Sequence, residues 1–224
     1  MKNCGMRDYW NYWEFRKLKI KIKKYMRQKT KIWVMGSAQW PTTWKAEWVR
    51  LSQELWKWIA KTDCILINWA CPGLPNEAAI WAKEAWGFVM WISPAFSEKE
   101  HLEDYKSPIN SYDLILYTWR WLMWRDVTNI RWSDCIVLVW WWVWTLNEFI
   151  VAYDEQKLVW VLLWTWWIAD WLPEILKTCN REINERIIFD SDPKILVEKM
   201  IIALKEMPQP KYADERVITW SDLN

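Results

Sequence analysis

Glycine is scarce in this chain. Only 4 of its 224 residues are glycine, whereas a globular protein of this length carries about 16. Tryptophan is abundant instead, with 26 residues. Many tryptophans stand where glycine has a mechanical use, because glycine adopts positive φ and lets chain segments approach closely. These places are strands beside a turn, the residue before a proline and strand-to-helix turns, as at Trp33, Trp40, Trp86, Trp166 and Trp167.

The shortage of glycine and the excess of tryptophan have one explanation if most of the tryptophans come from glycine codons read with the wrong genetic code. Some bacterial lineages reassign UGA to glycine, whereas other codes read UGA as tryptophan. The apolar content of 53% is then inflated by these letters. Trp132, Trp171 and Trp220 stand where an aromatic residue is ordinary, and we interpret them as genuine. The competing interpretation is a truly tryptophan-rich protein.

Long apolar runs and metal-binding patterns are also missing. No run of about 18 apolar residues is free of polar breaks, so the sequence predicts no membrane span. The basic start lacks the apolar core and cleavage site of a signal peptide. The 5 cysteines are scattered, their spacing fits no zinc site, and the chain has 1 histidine. We therefore expect a cytoplasmic protein with reduced thiols and with neither a metal nor a cofactor.

Basic residues are concentrated at the start of the chain. Residues 1–31 hold 11 Lys or Arg against 2 Asp or Glu, so the remainder is mildly acidic and is not expected to bind nucleic acid. The basic segment is either an arm for nucleic acid or a membrane surface, or a solvated extension with Met26 as an alternative start. We divide the chain into a basic extension (1–30), a central domain (31–206) and a polar tail (207–224).

Short apolar segments alternate with helical patterns along the central domain. The predicted strands are residues 31–36, 64–68, 88–92, 112–117, 135–139, 158–163 and 186–189. The predicted helices are residues 42–61, 74–85, 122–132, 145–155, 169–178 and 193–205, with His101 in a polar loop. This alternation predicts an α/β fold, a doubly wound Rossmann-like parallel sheet with helices on both faces.

Three turns that follow predicted strands become glycine-rich when tryptophan is read as glycine. Because the carboxyl ends of parallel strands share one edge, where ligands bind, we expect these turns to converge on one ligand site. The candidate binding residues are Gly36, Ser37, Asn68, Gly73, Trp140, Trp141, Trp142, Val143, Trp144 and Thr145.

The third turn indicates an anion site. With glycine at its tryptophans it reads GGGVGT, and its backbone N–H groups at a helix N-terminus suit a phosphate. It lacks the Gly-Lys-Ser/Thr ending of a P-loop, and the first loop lacks the G-x-G-x-x-G of an NAD site. Glu148 is either a capping-box partner of Thr145 or a carboxylate beside a bound phosphosugar. Arg125 belongs either to this site or to a solvated or ion-paired helix face.

With the same substitution, residues 125–148 read RDVTNIRWSDCIVLVGGGVGTLNE. This segment resembles the LONELY GUY (LOG) family and its relatives once labelled lysine decarboxylases. The hallmark of that family is an arginine-containing helix, a Ser-Asp pair, a strand and P-G-G-x-G-T-x-x-E. Arg125, Ser133, Asp134, Thr145 and Glu148 fall on the pattern without gaps.

The resemblance implies a Rossmann-like homodimer that cleaves the N-glycosidic bond of nucleoside 5′-monophosphates, releasing the free base and ribose 5-phosphate. It implies that residues 140–145 hold the phosphate and that Arg125 and Glu148 are catalytic. No cofactor is implied, and the expected partner is a phosphorylated small molecule.

The chain departs from the pattern at Trp140, where the family has proline, at Asp126 and Asn147, and in the second loop at Asn68. These departures are similar to a poorly characterised bacterial branch that also resembles molybdenum cofactor carrier proteins. Three functions therefore remain open: an N-glycosidase, a non-catalytic carrier or sensor of a phosphorylated ligand, and an interaction protein that works through its basic arm.

Overall fold

The computed structural model describes residues 29–36, 46–69, 71–120, 123–139, 143–165 and 168–208. These residues form a seven-stranded sheet between two layers of helices. The strands are β1 (Thr30–Met35), β2 (Cys64–Trp69), β3 (Phe88–Ser93), β4 (Leu114–Tyr117), β5 (Cys135–Val139), β6 (Leu158–Leu162) and β7 (Ile187–Asp190). The helices are α1 (Ala46–Ala60), α2 (Leu74–Glu84), α3 (Glu98–Glu103), α4 (Trp124–Trp132), α5 (Val143–Asp154), α6 (Ile168–Thr178) and α7 (Pro193–Glu206).

All strand pairs are parallel, and the strand order is β4-β3-β2-β1-β5-β6-β7. The chain builds the sheet outward from β1 to β4 and then returns to place β5 on the other side of β1. The strand order therefore reverses between β1 and β5. In open parallel sheets this switch point opens a crevice at the carboxyl ends of the strands, where ligands bind.

Alternate residues of each strand point to opposite helix layers, as the period of two requires. Ile32 and Val34 of β1 pack with α1, α2 and α7, whereas Trp33 and Met35 pack with α4, α5 and α6. All five residues of β5 are buried, which suits a central parallel strand covered on both faces. The predicted doubly wound α/β fold is confirmed.

Two sequence predictions are wrong in detail. Helix α5 begins at Val143, so Thr145 lies inside the helix and does not cap it. The predicted polar loop contains a short helix, α3, whose N-cap Ser97 accepts a hydrogen bond from the backbone N–H of Glu100. His101 on this helix is fully buried. Its Nδ1 lies 2.8 Å from Ser93 Oγ, and its ring packs edge-on against Trp91.

The end of α2 has the geometry of a glycine C-cap. Gly87 N donates to Ala82 O at 2.7 Å and Trp86 N donates to Lys83 O at 3.0 Å, the pair of bonds that defines a Schellman motif. Trp86 holds the left-handed position of that motif, with φ of 60°. This position usually carries glycine, since a Cβ there is strained.

Cys64 and Cys135 are free and buried in β2 and β5, and their reduced state stays a prediction. Within the described ranges, no group of three or more His, Cys, Asp or Glu side chains is placed to hold a metal ion. Over the same part of the chain, no helix combines the length and the apolar character that crossing a bilayer requires.

Candidate functional site

A buried polar cluster lies at the carboxyl edge of the sheet beside the switch point. Two residues come from α4, Arg125 and Asp126, and one comes from the second turn of α5, Glu148. Each of these three residues is at most 2% exposed. Burying a charged group costs several kcal/mol per ion unless it has a partner. These side chains therefore need either each other or a ligand as partners.

A backbone carbonyl of the sheet anchors Arg125. Its Nη1 donates to the carbonyl oxygen of Ile92 on β3 at 2.9 Å, and its guanidinium lies over the ring of Trp69 with 4.9 Å from Cζ to the ring centroid. That distance is within the range of a cation–π interaction. Burial lowers the pKa of Arg125, and the neighbouring Cys71, Asp126 and Glu148 oppose that shift.

Glu148 faces inward from α5. Its Oε1 accepts a hydrogen bond from the indole Nε1 of Trp69 at 2.8 Å. Burial raises the pKa of Glu148 well above its usual range, and the nearby Asp126 adds to the increase. The Trp69 indole and Arg125 act in the opposite direction, because both favour the charged carboxylate. The capping-box interpretation of Glu148 is therefore wrong, since its side chain turns into the core.

Asp126 pairs with Asn147, another residue that departs from the LOG pattern. Its Oδ2 accepts a hydrogen bond from Asn147 Nδ2 at 3.0 Å, which links α4 to α5. Asp126 Oδ1 is buried and accepts no hydrogen bond. One turn further along α4, both side-chain polar atoms of Asn129 are also buried without a partner. Buried polar atoms are rarely left unpaired, so this corner of the site has unused hydrogen-bonding capacity.

We predict that Asp126→Asn flattens the dependence of stability on pH. Burial raises the pKa of Asp126 from 3.8 to about 6, so near pH 5 the folded chain holds a proton that the unfolded chain releases. The Asp126 contribution to stability is therefore complete below about pH 4 and is lost as pH rises through about 6. We expect roughly 1–2 kcal/mol of this loss to disappear in the variant, since partial screening reduces the full shift.

Urea unfolding at pH 4.5 and pH 7 measures this difference. The matched control is Asp104→Asn, which removes a carboxyl group from the exposed C-cap of α3. If both variants lose the same amount of stability between the two pH values as the unsubstituted chain, Asp126 does not carry the buried proton.

Two indoles occupy the space in front of the cluster. The ring of Trp69, at the end of β2, meets the ring of Trp144 edge-on, with 6.3 Å between centroids. Trp144 lies in the first turn of α5, so this ring contact joins the end of β2 to the start of α5 at the carboxyl edge of the sheet.

The sequence pattern of the SLOG cluster4 family matches residues 29–197. The chain belongs to the SLOG cluster4 family. The match spans every described strand and all of the polar cluster, including Arg125 and Glu148. No curated protein sequence matches the chain significantly.

Solved structures share the fold of this SLOG protein. One is the molybdenum cofactor carrier protein of Chlamydomonas reinhardtii, with a TM-score of 0.61 at 23% identity over 80% of this chain and 99% of that one. Another is the molybdenum cofactor binding protein of Rippkaea orientalis, with a TM-score of 0.60 at 21% identity over 79% of this chain and 99% of that one. A third is DNA processing protein A of Helicobacter pylori, whose single-stranded DNA binding has been described. Its TM-score is 0.51 at 14% identity over 80% of this chain and 83% of that one. At these identities the likeness shows a common fold alone.

Three predicted binding residues of the first two turns, Gly36, Asn68 and Gly73, have structural roles in this SLOG domain. A Cβ on Gly36 would stand 2.8 Å from Leu74 Cβ, so glycine lets β1 end against α2. Gly73 has φ of 82° where it caps α2. Asn68 is buried, and its Nδ2 donates to the carbonyl oxygen of Pro75, which ties β2 to α2. These contacts give each of the three residues a structural role, while Asn68 Oδ1 is buried without a hydrogen-bond partner. Their role in binding stays a prediction.

The third turn is described only from Val143 onward. Val143 is 74% exposed and Thr145 is buried on the inner side of α5. Ser37 and residues 140–142 lie outside the described residues, so the predicted phosphate contacts of Ser37, Trp140, Trp141 and Trp142 stay predictions.

The Ser-Asp pair of the family pattern lies at the other end of β5. Ser133 Oγ donates to Asn129 O at 2.8 Å and closes the end of α4. Asp134 accepts hydrogen bonds from the backbone N and the Nζ of Lys31, which fixes the start of β5 beside β1. These two residues support the sheet and do not line the candidate site.

Sequence analysis missed two groups next to the cluster. Cys71 lies close enough to Arg125 and Glu148 to interact with both, and burial raises its pKa to about 12. The Ser93–His101 pair lies one residue beyond the Ile92 carbonyl that holds Arg125. The position of Ser93 at the carboxyl end of a buried strand was the only available signal, and the burial of His101 could not be read from its polar surroundings.

Proposed function

We propose that this SLOG protein binds a phosphorylated small molecule, most simply a nucleoside 5′-monophosphate, at the carboxyl edge of β1, β2 and β5. The observation that carries the proposal is the buried cluster of Arg125, Asp126 and Glu148 at the switch point of the sheet. A purely structural core would gain more from apolar side chains at these positions. Phosphate would be held at residues 140–145, at the start of α5.

The catalytic form of the proposal is N-glycosidic hydrolysis. Water would add to C1′ of the ribose, the C–N bond would break, and the base would leave with a proton. Positive charge develops on the ribosyl ring in such a reaction, so a carboxylate beside C1′ lowers the barrier. Glu148 would supply that carboxylate or orient the water, and Arg125 would hold the nucleotide.

The alternative form is a carrier or sensor that binds without cleavage. The hydrogen bond between Asp126 and Asn147 favours it, because two of the departures from the LOG pattern bind each other beside Arg125 and Glu148. The fold shared with one protein described as a molybdenum cofactor carrier and another described as a molybdenum cofactor binding protein supports the same alternative. The homodimer, the cytoplasmic location, the absence of nucleic-acid binding and the extents of the terminal segments stay predictions from the sequence.

We further propose that most tryptophan letters stand at glycine positions of the native protein. Support comes from the backbone, since Trp86, Trp119 and Trp164 have φ of 60°, 41° and 61°. Left-handed backbone of this kind costs a residue with a Cβ about 1–2 kcal/mol. The indole of Trp69 adds support, because it occupies Glu148 Oε1 and one face of the Arg125 guanidinium, the groups that a ligand at the proposed site would need.

The test uses a glycine-restored variant, the full chain with Trp69, Trp140, Trp141, Trp142 and Trp144 replaced by glycine. We expect adenosine 5′-monophosphate to bind it with a dissociation constant in the micromolar range, about −8 kcal/mol, by titration calorimetry. Adenosine, which lacks the phosphate, should bind much more weakly.

Chromatography of the same mixture for free adenine separates the two forms of the proposal. Release of adenine indicates the N-glycosidase, and binding without release indicates the carrier or sensor. If neither adenosine, guanosine, cytidine nor uridine 5′-monophosphate binds the folded variant, the nucleotide proposal is wrong.

A further inference from the structure

The sheet ends at β4 with an open edge. Among the described strands only β3 pairs with β4, and Asp113 N donates to Val89 O just before the two strands pair. The N–H and C=O groups of successive strand residues point alternately to the two sides of the strand, so those of Leu114 and Leu116 point away from β3. Unpaired edge groups of this kind accept a further strand unless the fold protects them.

One face of this edge is apolar. Leu114 and Leu116 are 49% and 37% exposed, although they lie beside Met90 and Ile92, which are buried under the layer of α4, α5 and α6. That helix layer therefore leaves the outer side of β4 uncovered. At the other edge of the sheet, every residue of β7 is buried or half-buried. The apolar surface that needs a cover is thus at β4.

The other face of β4 lies next to the acidic helix α3. The ring of His101 on α3 packs edge-on against the ring of Tyr117, with 6.1 Å between centroids. Residues 98–104 hold 4 carboxylates and 1 lysine. Burial and the nearby Glu98 raise the pKa of Tyr117, which places negative charge beside the strand. A strand that fits this edge needs apolar side chains on one face and basic side chains on the other.

The basic segment before Lys29, which lies outside the described residues, has this pattern. Residues 17–23 read KLKIKIK, so four lysines alternate with Leu18, Ile20 and Ile22. In a strand, this alternation puts the apolar side chains on one face and the lysines on the other. The two faces of the segment therefore match the two faces of the open edge in polarity and in charge.

We propose that residues 17–23 add to β4 of their own chain as an antiparallel edge strand, with Ile20 opposite Leu114 and Leu18 opposite Leu116. The apolar side chains then pack against the exposed leucines, and the lysines face the carboxylates of α3. Doubly wound folds often carry an antiparallel edge strand on an otherwise parallel sheet. This inference goes beyond the proposed function, because it gives a role to the one charged segment that the candidate site does not use.

The chain between the new strand and β1 is long enough. By the strand pairing, Leu114 is level with Trp33, four residues beyond Lys29. The new strand lies four strand spacings from β1, about 19 Å, and the difference in level makes the direct distance about 23 Å. Residues 20–29 span up to about 30 Å. The antiparallel direction returns the chain to the amino edge, where β1 begins, whereas a parallel strand would end at the carboxyl edge.

The experiment is disulfide formation between Ile20→Cys and Leu114→Cys in the full chain. Cys4→Ser and Cys179→Ser are added, because Cys4 belongs to the basic segment and Cys179 is exposed. Opposite residues of a hydrogen-bonded antiparallel pair have Cα atoms about 5.5 Å apart, which a disulfide spans. We expect most of the oxidised protein to carry this bond within one chain, measured by peptide mapping. The matched control is Lys21→Cys with Leu114→Cys, which should lose nearly all of the bond because the side chains point to opposite faces.

A second measurement needs no change in β4. Ile20→Pro in the full chain removes a backbone N–H that the added strand would use in the ladder. We expect the amides of Leu114 and Leu116 to exchange at least about tenfold faster in this variant, measured by NMR, the factor that 1.4 kcal/mol of lost protection gives. Asn11→Pro lies in the basic segment but outside the alternating stretch, and it should leave both exchange rates unchanged.

Two results would overturn the inference. A disulfide between two chains in place of one within a chain means that the segment does not pair with its own β4. Equal exchange of Leu114 and Leu116 in the unsubstituted chain and in both proline variants, with no disulfide, means that no edge strand forms. That second result is the one expected of a solvated extension, or of an arm for nucleic acid or a membrane surface.

Discussion

Replacing Trp86, Trp119 and Trp164 together by glycine should raise the melting temperature of the chain by roughly 6–12 °C, since each site releases about 1 kcal/mol of backbone strain. All three residues have left-handed φ, and Trp86 holds the glycine position of a Schellman motif. Their side chains are 96%, 69% and 69% exposed, so little buried apolar surface is lost. The greater freedom of glycine in the unfolded chain reduces the gain but does not reverse it.

Trp171→Gly is the control for this prediction. Trp171 is also mostly exposed, at 64%, but it lies inside α6, where glycine costs about 1 kcal/mol relative to a helix-forming residue. We expect the control to lower the melting temperature while the triple substitution raises it. A triple variant that melts below the unsubstituted chain contradicts glycine at these positions. Intact-mass spectrometry of the protein from its native host tests the codon assignment, and a mass that includes all 26 indoles would overturn it.

The sheet was predictable because its signal is local. The run at β5 is apolar at every position, as a strand covered on both faces requires, and its predicted bounds are the observed ones. Helices between such strands demand parallel crossovers and hence two helix layers. The predicted start of α5 is wrong because it depends on side chains whose partners are distant in sequence. Thr145 and Glu148 have the spacing of a capping box, but Glu148 bonds instead to a residue 79 positions away.

The candidate site was predictable in its location but not in its pairing. The turn pattern and the topology place Arg125 and Glu148 at the carboxyl edge of the sheet, where the structure brings them together around Trp69. Sequence could not show that Arg125 is anchored by a backbone carbonyl 33 residues away. Nor could it show that Asp126 and Asn147, each seen only as a departure from a family pattern, form one hydrogen bond.

The family pattern also joins residues with different physical roles. Ser133 and Asp134 precede β5, and Glu148 follows it, so the length of the strand separates them. The first two fix the start of the strand through Asn129 and Lys31, at the edge opposite the site. A residue that belongs to the motif is therefore not always a candidate ligand contact. Only the motif residues at the carboxyl end of β5 lie near the candidate site.

Glu148→Gln in the glycine-restored variant should lower the turnover number for nucleoside 5′-monophosphate hydrolysis by about 10²–10⁴-fold, with KM changed by less than about threefold. Glutamine keeps the shape of the side chain and its hydrogen-bond acceptor but cannot carry the negative charge that opposes the developing positive charge on the ribosyl ring. Folding should be preserved, because glutamine has nearly the same shape and volume as glutamate and keeps the packing of α5.

Glu155→Gln is the matched control, since Glu155 lies just beyond the same helix and pairs with Arg131 outside the cluster. It should leave the turnover number unchanged. The role of Glu148 follows from which parameter changes in Glu148→Gln, the turnover number or KM. A loss confined to KM means that Glu148 holds the ligand without stabilising a transition state, as a carrier would require. Unchanged turnover and unchanged KM in Glu148→Gln would remove Glu148 from the site, because a carboxylate in contact with the reacting ribose cannot lose its charge without effect.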